Sequence, residues 1–393
     1  MKMINWKRLN INIIFLIGII LTICSGINAD YDYGACTTPN NESGLCIHID
    51  DCEYLWNMLL NPVNRQESFL AKSQCGYDNT ATTPAHRILV CCADKYCNKP
   101  KPEANNVPKP GNVLPEAGKC GISLENRILG GQNTSLFEFP WMALIQYKKP
   151  NNVYEFHCGG SLINSRYVLT AAHCVRNEKT PGTWEVNKVR LGEWNTTSDP
   201  DCVVDINGHK ECALPHVDVE VEETIVHENY MWSSRDQYND IALIRLKEPV
   251  QYTGFVEPIC LPISSELRSS SFKDQLLDVA GWGVTEKPVA SDVKLKINVT
   301  TWQIPTCQEK YKTFQITLDE NKQLCAGGRQ GIDTCNGDSG GPLTIRTRAG
   351  NKDVYFAAGI VSYGPKPCGI KNWPGMYTRV GAYVDWIISN LKP

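Results

Sequence analysis

Asp333-Thr-Cys-Asn-Gly-Asp-Ser-Gly-Gly-Pro342 is the stretch from which the rest of the chain is read, with Ser339 as its candidate nucleophile. A serine hydroxyl attacks poorly at neutral pH, so the chain must also supply a base, a group to orient that base, and donors for a developing oxyanion. Glycines on both sides of Asp338-Ser339 let the backbone turn sharply, so the N–H groups of Gly337 and Ser339 can converge on one oxygen. Taken alone, the stretch is equally an ordinary tight turn, because turns favour the same residues. The remaining sequence must decide.

The chain has 393 residues, 42% of them apolar, enough for one large domain and an accessory piece. A net charge of -3 shows no basic excess and gives no support to nucleic-acid or anionic-membrane binding. Lys2, Lys7 and Arg8 precede an apolar run from Ile11 to Ile23, with small residues at Gly26 and Ala29. This reads as a secretory signal peptide over residues 1–29, too short and too interrupted by Asn12 for a membrane anchor. Its removal takes Cys24 and leaves an odd number of cysteines in an oxidising compartment, so at least one is left over or bonds another molecule.

Residues 30–97 carry Cys36, Cys46, Cys52, Cys75 and the adjacent pair Cys91-Cys92. So short a unit, with little continuous apolar periodicity, needs cross-links for stability and is expected to be loop-rich. Spacing alone does not choose among the possible pairings. Residues 98–127 are rich in Pro, Lys, Asn and Glu and read as an extended linker. Beyond it, strands are expected at 141–147, 161–170, 217–226, 241–246, 278–282 and 354–361, with a terminal helix over 380–391. That pattern predicts an all-β double barrel or sandwich.

Within this region Thr170-Ala-Ala-His-Cys174 places His173 just after an apolar strand, and Asp240 opens the strand Ile241-Ala-Leu-Ile-Arg-Leu246. A lone histidine beside a cysteine is more often structural, and an acidic strand-start is often a turn residue. Taken together, in the order His, Asp, Ser, the three stretches of residues 128–393 resemble the trypsin-like, chymotrypsin-fold serine proteases. The cysteine unit resembles the clip domain of arthropod secreted proteases.

The resemblance implies a two-barrel protease domain with a C-terminal helix, preceded by a disulfide-rich clip domain. His173 is implied as base, Asp240 as its orienting carboxylate, and Gly337 and Ser339 as oxyanion donors. Ser362 would support the aspartate and line the substrate. Asp333 would form the floor of the primary pocket between Gly364 and Gly375, and a carboxylate there selects Arg or Lys. Tyr363 replaces the tryptophan usual in the family, with Pro365 and Pro367 following.

Arg127-Ile-Leu-Gly-Gly131 resembles the activation site, where a new amino terminus on Ile128 would pair with Asp338. The implied disulfides are Cys36 with Cys91, Cys46 with Cys75, Cys52 with Cys92, Cys120 with Cys260, Cys158 with Cys174, Cys202 with Cys212, Cys307 with Cys325 and Cys335 with Cys368. Cys97 is left over.

The segment from Gly192 to Cys202 is especially similar to the easter-like enzymes that process Spätzle or prophenoloxidase. This branch implies a structural calcium ion, with Glu193, Asn195, Ser198 and Asp201 as ligands. The expected function is that of a secreted endopeptidase zymogen in an extracellular immune or developmental cascade. Its partners would be a protein precursor as substrate, an upstream protease and a serpin-type inhibitor. A silent adaptor is disfavoured by the complete set of catalytic residues, and a digestive trypsin by the clip unit and tethering cysteines. Sequons at Asn41, Asn133, Asn195 and Asn298 mark candidate glycosylation sites.

Overall fold

The computed structural model describes residues 35–60, 67–77, 88–93, 114–115, 119–123, 133–175, 184–204, 208, 210–284, 289–330, 337–349 and 352–392. Two compact units divide the chain, Met1–Val107 and Pro108–Pro393. The predicted signal peptide, Cys97, nearly all of the linker, Arg127, Ile128, Asp333 and Cys335 lie outside the described residues. Among the described residues no helix is long and apolar enough to cross a membrane.

The first unit is more regular than its composition predicts. Strands β1 (Ala35–Thr37), β2 (Ser43–His48), β3 (Gln74–Tyr77) and β4 (Ile88–Ala93) form an antiparallel sheet ordered β1-β2-β4-β3. Helices α1 (Glu53–Leu60) and α2 (Glu67–Ser73) accompany it. Ile47, Leu55 and Val90 meet in one small core together with Cys52 and Cys92. These apolar positions come from separate short segments, so no single window of sequence displays them. Successive side chains of a strand point to opposite faces, so Cys91 and Cys92 on β4 serve different bridges. The bridges are Cys36–Cys91, Cys46–Cys75 and Cys52–Cys92.

The second unit holds two closed barrels. The first contains β5 (Met142–Lys149), β6 (Val153–Asn164), β7 (Tyr167–Thr170), β8 (Glu185–Leu191), β11 (Val217–Val226) and β12 (Ala242–Leu246). Its order is β11-β12-β7-β6-β5-β8, and the short pair β9 (Cys202–Val204) and β10 (Lys210–Cys212) stands apart from it. The single strand expected over 161–170 is broken, because the Asn164 side chain accepts the Arg166 N–H at 2.9 Å and turns the chain. β6 and β7 then pair antiparallel, with Ser161 opposite Leu169.

The second barrel is ordered β13-β14-β15-β18-β17-β16. Its strands are β13 (Leu276–Gly281), β14 (Leu295–Trp302), β15 (Gln323–Gly327), β16 (Pro342–Ala349), β17 (Lys352–Tyr363) and β18 (Pro374–Arg379). Closure leaves no sheet edge and puts one side of each strand into a filled interior. Residues Val380–Tyr383 form a 3-10 turn rather than the start of an α-helix, which runs only over Val384–Asn390. Val380, Tyr383, Ile387 and Leu391 nonetheless pack into the same core as Leu243 and Leu246 of the first barrel. The C-terminal segment therefore covers β12, the strand that follows Asp240.

Candidate active site

Asp240 ends a tight loop, with Asn239 just before it in the left-handed region at φ 60°. The next residues, Ile241 to Ile244, are fully buried and draw the carboxylate inside with them; Asp240 itself has no exposure. A buried charge without partners is costly, and this one is fully answered. Its Oδ1 accepts the His173 backbone N–H at 2.9 Å and its Oδ2 accepts from the His173 ring Nδ1 at 2.8 Å. Ser362 Oγ donates to the same Oδ2 at 2.5 Å, while Thr378 Oγ1 donates to the Asp240 carbonyl at 2.7 Å. The first barrel thus supplies His173 and Asp240, and the second locks them through Ser362 and Thr378.

His173 sits on the one-turn helix Ala172–Val175, and its side chain is 22% exposed. Burial disfavours the imidazolium, but the charge and hydrogen bond of Asp240 outweigh it and lift the pKa above the ordinary 6.5. Burial likewise opposes the Asp240 carboxylate, and His173 together with Ser362 holds its pKa low. Nδ1 is committed to Asp240, so Nε2 is the ring nitrogen left for chemistry. Cys158, His173 and Cys174 form the one group of three or more His, Cys, Asp or Glu side chains placed close enough to share a metal ion among the described residues. Its two sulfurs are joined to each other as a disulfide, so it is a braced histidine rather than a metal centre.

The turn that carries Ser339 approaches the histidine loop by way of glycines. Gly337 has φ 102° and Gly340 φ 80°, conformations that side chains strain to adopt. A Cβ on Gly340 would lie 2.2 Å from Thr170 Oγ1 and 3.1 Å from Cys174 Sγ, so the turn is pressed directly against the histidine loop. The Ser339 carbonyl accepts the Gly159 N–H at 2.8 Å, tying the turn to β6. Among the described residues neither the Gly337 nor the Ser339 N–H has a carbonyl partner.

Asp338 points the other way, where its Oδ1 accepts the Gly283 N–H at 2.9 Å. Cβ atoms added at Gly281 or Gly283 would come within 2.3 Å of its carboxylate, so both glycines are needed to seat it. Gly364 and Gly375 face each other closely: a Cβ on the first would lie 3.7 Å from the Cα of the second. Tyr363 is half-buried beside Tyr311, with its hydroxyl 3.4 Å from the Asp236 carbonyl, and burial pushes its phenol pKa up. Cys120–Cys260, Cys158–Cys174, Cys202–Cys212 and Cys307–Cys325 are bonded, and Cys368 is also in a disulfide.

The loop of residues 193–201 gathers two buried carboxylates, Glu193 and Asp201. Asp201 Oδ2 accepts the N–H groups of Trp194 and Asn195, and Ser198 Oγ donates to Oδ1 at 2.5 Å. Arg190 donates to Glu193 Oε2 at 3.1 Å. Burial, and then the charge of Asp201, nevertheless push Glu193 up to about 7. Two crowded acids of this kind suit a divalent cation. Asn195 is turned away from them, its Oδ1 accepting from the Thr197 N–H and hydroxyl. Of the other sequons, Asn41, Asn133 and Asn298 are all exposed, and the Asn298 amide donates to Asp278 on the neighbouring strand.

Sequence reasoning overlooked Thr378, Thr170, Gly281 and Gly283. Thr378 and Thr170 are single hydroxyls inside strands and give no local signal. Gly281-Trp-Gly283 does give one, because two glycines at alternate positions expose a strand end to close approach.

The sequence pattern of the Trypsin family matches residues 128–387, and that of the regulatory CLIP domain of proteinases matches residues 36–92. The chain is 47% identical to the Spaetzle-processing enzyme of Drosophila melanogaster, covering 96% of this chain and 98% of that one. It is 49% identical to Serine protease ea of the same organism, covering 92% of each. Identity to that organism's Melanization protease 1 is 45%, over 92% of this chain and 94% of that one. The crystal structure of the Drosophila Grass clip serine protease of the Toll pathway superimposes with a TM-score of 0.60 at 32% identity. That match covers 91% of this chain and 97% of the Grass chain.

Proposed function

The chain belongs to the trypsin family, with a regulatory CLIP domain ahead of the protease domain, and on that premise we propose that it is a zymogen switched on by cleavage after Arg127. It is a serine endopeptidase of trypsin-like specificity, and its relatives serve extracellular proteolytic cascades. We assign the nucleophile to Ser339, the base to His173 and the orienting carboxylate to Asp240. One observation carries the assignment: the Asp240 network holds Nδ1 of His173, leaving Nε2 with only a 3.7 Å contact to Cys174 Sγ, and the glycine turn that carries Ser339 lies against Thr170 and Cys174 on either side of that histidine.

In the reaction, His173 Nε2 takes the Ser339 proton as Oγ attacks the scissile carbonyl, then gives it to the leaving amine. Asp240 fixes the tautomer and stabilises the imidazolium, with Ser362 holding the carboxylate. The N–H groups of Gly337 and Ser339 bind the oxyanion. Asp333 is assigned as the carboxylate that selects Arg or Lys before the scissile bond. Asp338, whose carboxylate is seated by the Gly283 N–H, receives the new amino group of Ile128 as an ion pair. Cys120–Cys260 then keeps the clip unit attached.

The substrate proposed is a protein precursor of the Spätzle or prophenoloxidase kind, outside the cell, with an upstream arginine-cutting protease as activator and a serpin-type inhibitor as terminator. Glu193 and Asp201, with Ser198 and the backbone carbonyl of Asn195, would hold a calcium ion that neutralises the two acids, the Asn195 amide being engaged with Thr197. The test is to cleave the purified chain after Arg127 and offer it both precursor types. Cutting after an arginine by the parent and not by Ser339→Ala is the expected result, and failure on both precursors overturns the substrate proposal.

A further inference from the structure

Every hydrogen-bonding group of Trp194 is in use, and each is tied to a different part of the protease unit. Its backbone N–H donates to Glu193 Oε1 and to Asp201 Oδ2, both at 3.0 Å. The carbonyl accepts from the Trp282 indole at 3.2 Å and from the Lys294 N–H at 2.8 Å. Its own indole N–H donates to the Thr134 carbonyl at 3.0 Å. The half-buried ring packs with Phe137, Ala213 and Phe255.

Two of these ties lead to the two ends of one event. Thr134 lies seven residues beyond Arg127, in the stretch that would trail behind a new amino terminus. It is pinned further by its N–H and hydroxyl, which donate to the Lys294 carbonyl at 3.1 and 2.9 Å. Trp282 immediately precedes Gly283, the donor that seats Asp338. One residue therefore sets both the tether of the incoming amine and a wall of the pocket that receives it. Fixing a tether near its target raises the effective concentration of the tethered group, and fixing the pocket removes the cost of ordering it at the moment of pairing.

We propose that Trp194 is a positioning residue of the activation switch, holding the Thr134 stretch and the Gly283 wall in the register in which the new terminus can pair with Asp338. This rests on the zymogen reading given above. A purely structural brace would lower thermal stability without changing how well the amine is sheltered, and the two roles are separated by asking about the amine itself.

The experiment uses the full chain cleaved after Arg127, treated briefly with an acetylating reagent under native conditions, then digested and weighed. In the parent the Ile128 amine is protected. Trp194→Phe keeps an aromatic ring and deletes one donor; its Ile128 amine should react roughly tenfold faster, the size of effect one lost buried hydrogen bond carries, with activity on an arginyl peptide falling in parallel. Phe137→Leu, in the same apolar cluster, should melt earlier yet keep the amine protected. An unchanged acetylation rate in Trp194→Phe, or an equal rise in Phe137→Leu, overturns the proposal.

If Trp194→Phe does not fold, Trp282→Phe keeps an aromatic ring while deleting the indole donor to the Trp194 carbonyl, and it must expose the amine in the same way; a protected amine there overturns the proposal as well. An Ile128 amine that is already reactive in the cleaved, active parent instead refutes the zymogen reading, and this inference with it.

Discussion

The two barrels hold their halves of the site by different means. In the first, a carboxylate with no exposure is answered by a backbone N–H, a ring nitrogen and a hydroxyl, so His173 is oriented as soon as the chain folds. In the second, the proposed nucleophile Ser339 rides on glycines, and its neighbour Asp338 turns away into a cradle made of two more. Hydrogen bonds that satisfy a buried charge define one geometry. Glycines permit a geometry without enforcing it. The proposed base is therefore held by folding alone, whereas the side of the proposed nucleophile gains a further constraint if the new amino terminus pairs with Asp338 as proposed.

The largest effects should come from breaking either half outright. Ser339→Ala should lower kcat by roughly 10⁶-fold. Asp240→Asn, which leaves the nucleophile in place but lets the imidazole take the wrong tautomer, should cost roughly 10⁴-fold. Burst titration with an acylating inhibitor distinguishes them: no burst in the first, a slow one in the second. Equal rates in the two variants would mean that the halves are not separable as described.

Asp333→Ser tests the conditional half next. Removing the only charge proposed for the pocket floor should reduce kcat/KM for arginyl substrates by about 10⁴-fold, since a site built around a buried pairing loses it entirely. The melting temperature should stay close to that of the parent. A variant that cuts arginyl and aromatic peptides in the parent's ratio would remove Asp333 from the specificity argument.

The pH profile sharpens the comparison further. The His173 pKa is raised above 6.5, and catalysis needs the neutral ring, so activity should fall as pH drops through that raised value. In Asp240→Asn only burial remains, and burial pushes the pKa down. The residual acid limb must therefore move to lower pH. NMR titration of His173 should give the same raised value before and after cleavage at Arg127, because the Asp240 network does not involve Asp338. A large shift on cleavage would contradict a base that is set by folding alone.

Much of this was legible in the sequence because buried catalysis uses dense local motifs. Thr170-Ala-Ala-His-Cys174 and Gly337-Asp-Ser-Gly-Gly341 each announce a turn and a reactive group within five residues. Short β-rich runs between turn signals pointed to an all-β double barrel or sandwich, and the family resemblance chose the two barrels. The details that escaped depend on partners distant in sequence. Thr378 finds the Asp240 carbonyl across 138 positions and Trp282 finds Trp194 across 88, and neither residue differs in type from ordinary core. The clip sheet escaped for a related reason, since Ile47, Leu55 and Val90 make a core only after the chain has folded back on itself.

The smallest expected effect lies at the Glu193–Asp201 pair, which belongs to the first barrel by sequence yet reaches the second through Trp194. Glu193 is pushed up to about 7, so near neutral pH the pair shares its charge with a proton unless a cation replaces it. Calcium that binds only the folded chain stabilises it by mass action, about 2.7 kcal/mol at a hundredfold excess over Kd. For a domain of this size that is a rise of roughly 5 °C in Tm. The rise should be larger at pH 8 than at pH 6, because below the raised pKa a proton must be expelled before calcium enters. Glu193→Gln removes one of the two charges and should abolish most of the response while leaving activity on small arginyl substrates within a few-fold. Differential scanning calorimetry across a calcium titration, with Asn195 confirmed free of glycan, reads all three expectations. A Tm that ignores calcium at pH 8 would leave Arg190 as the cation that holds Glu193, and the loop would then be a fixed brace between the barrels rather than a cation-dependent one.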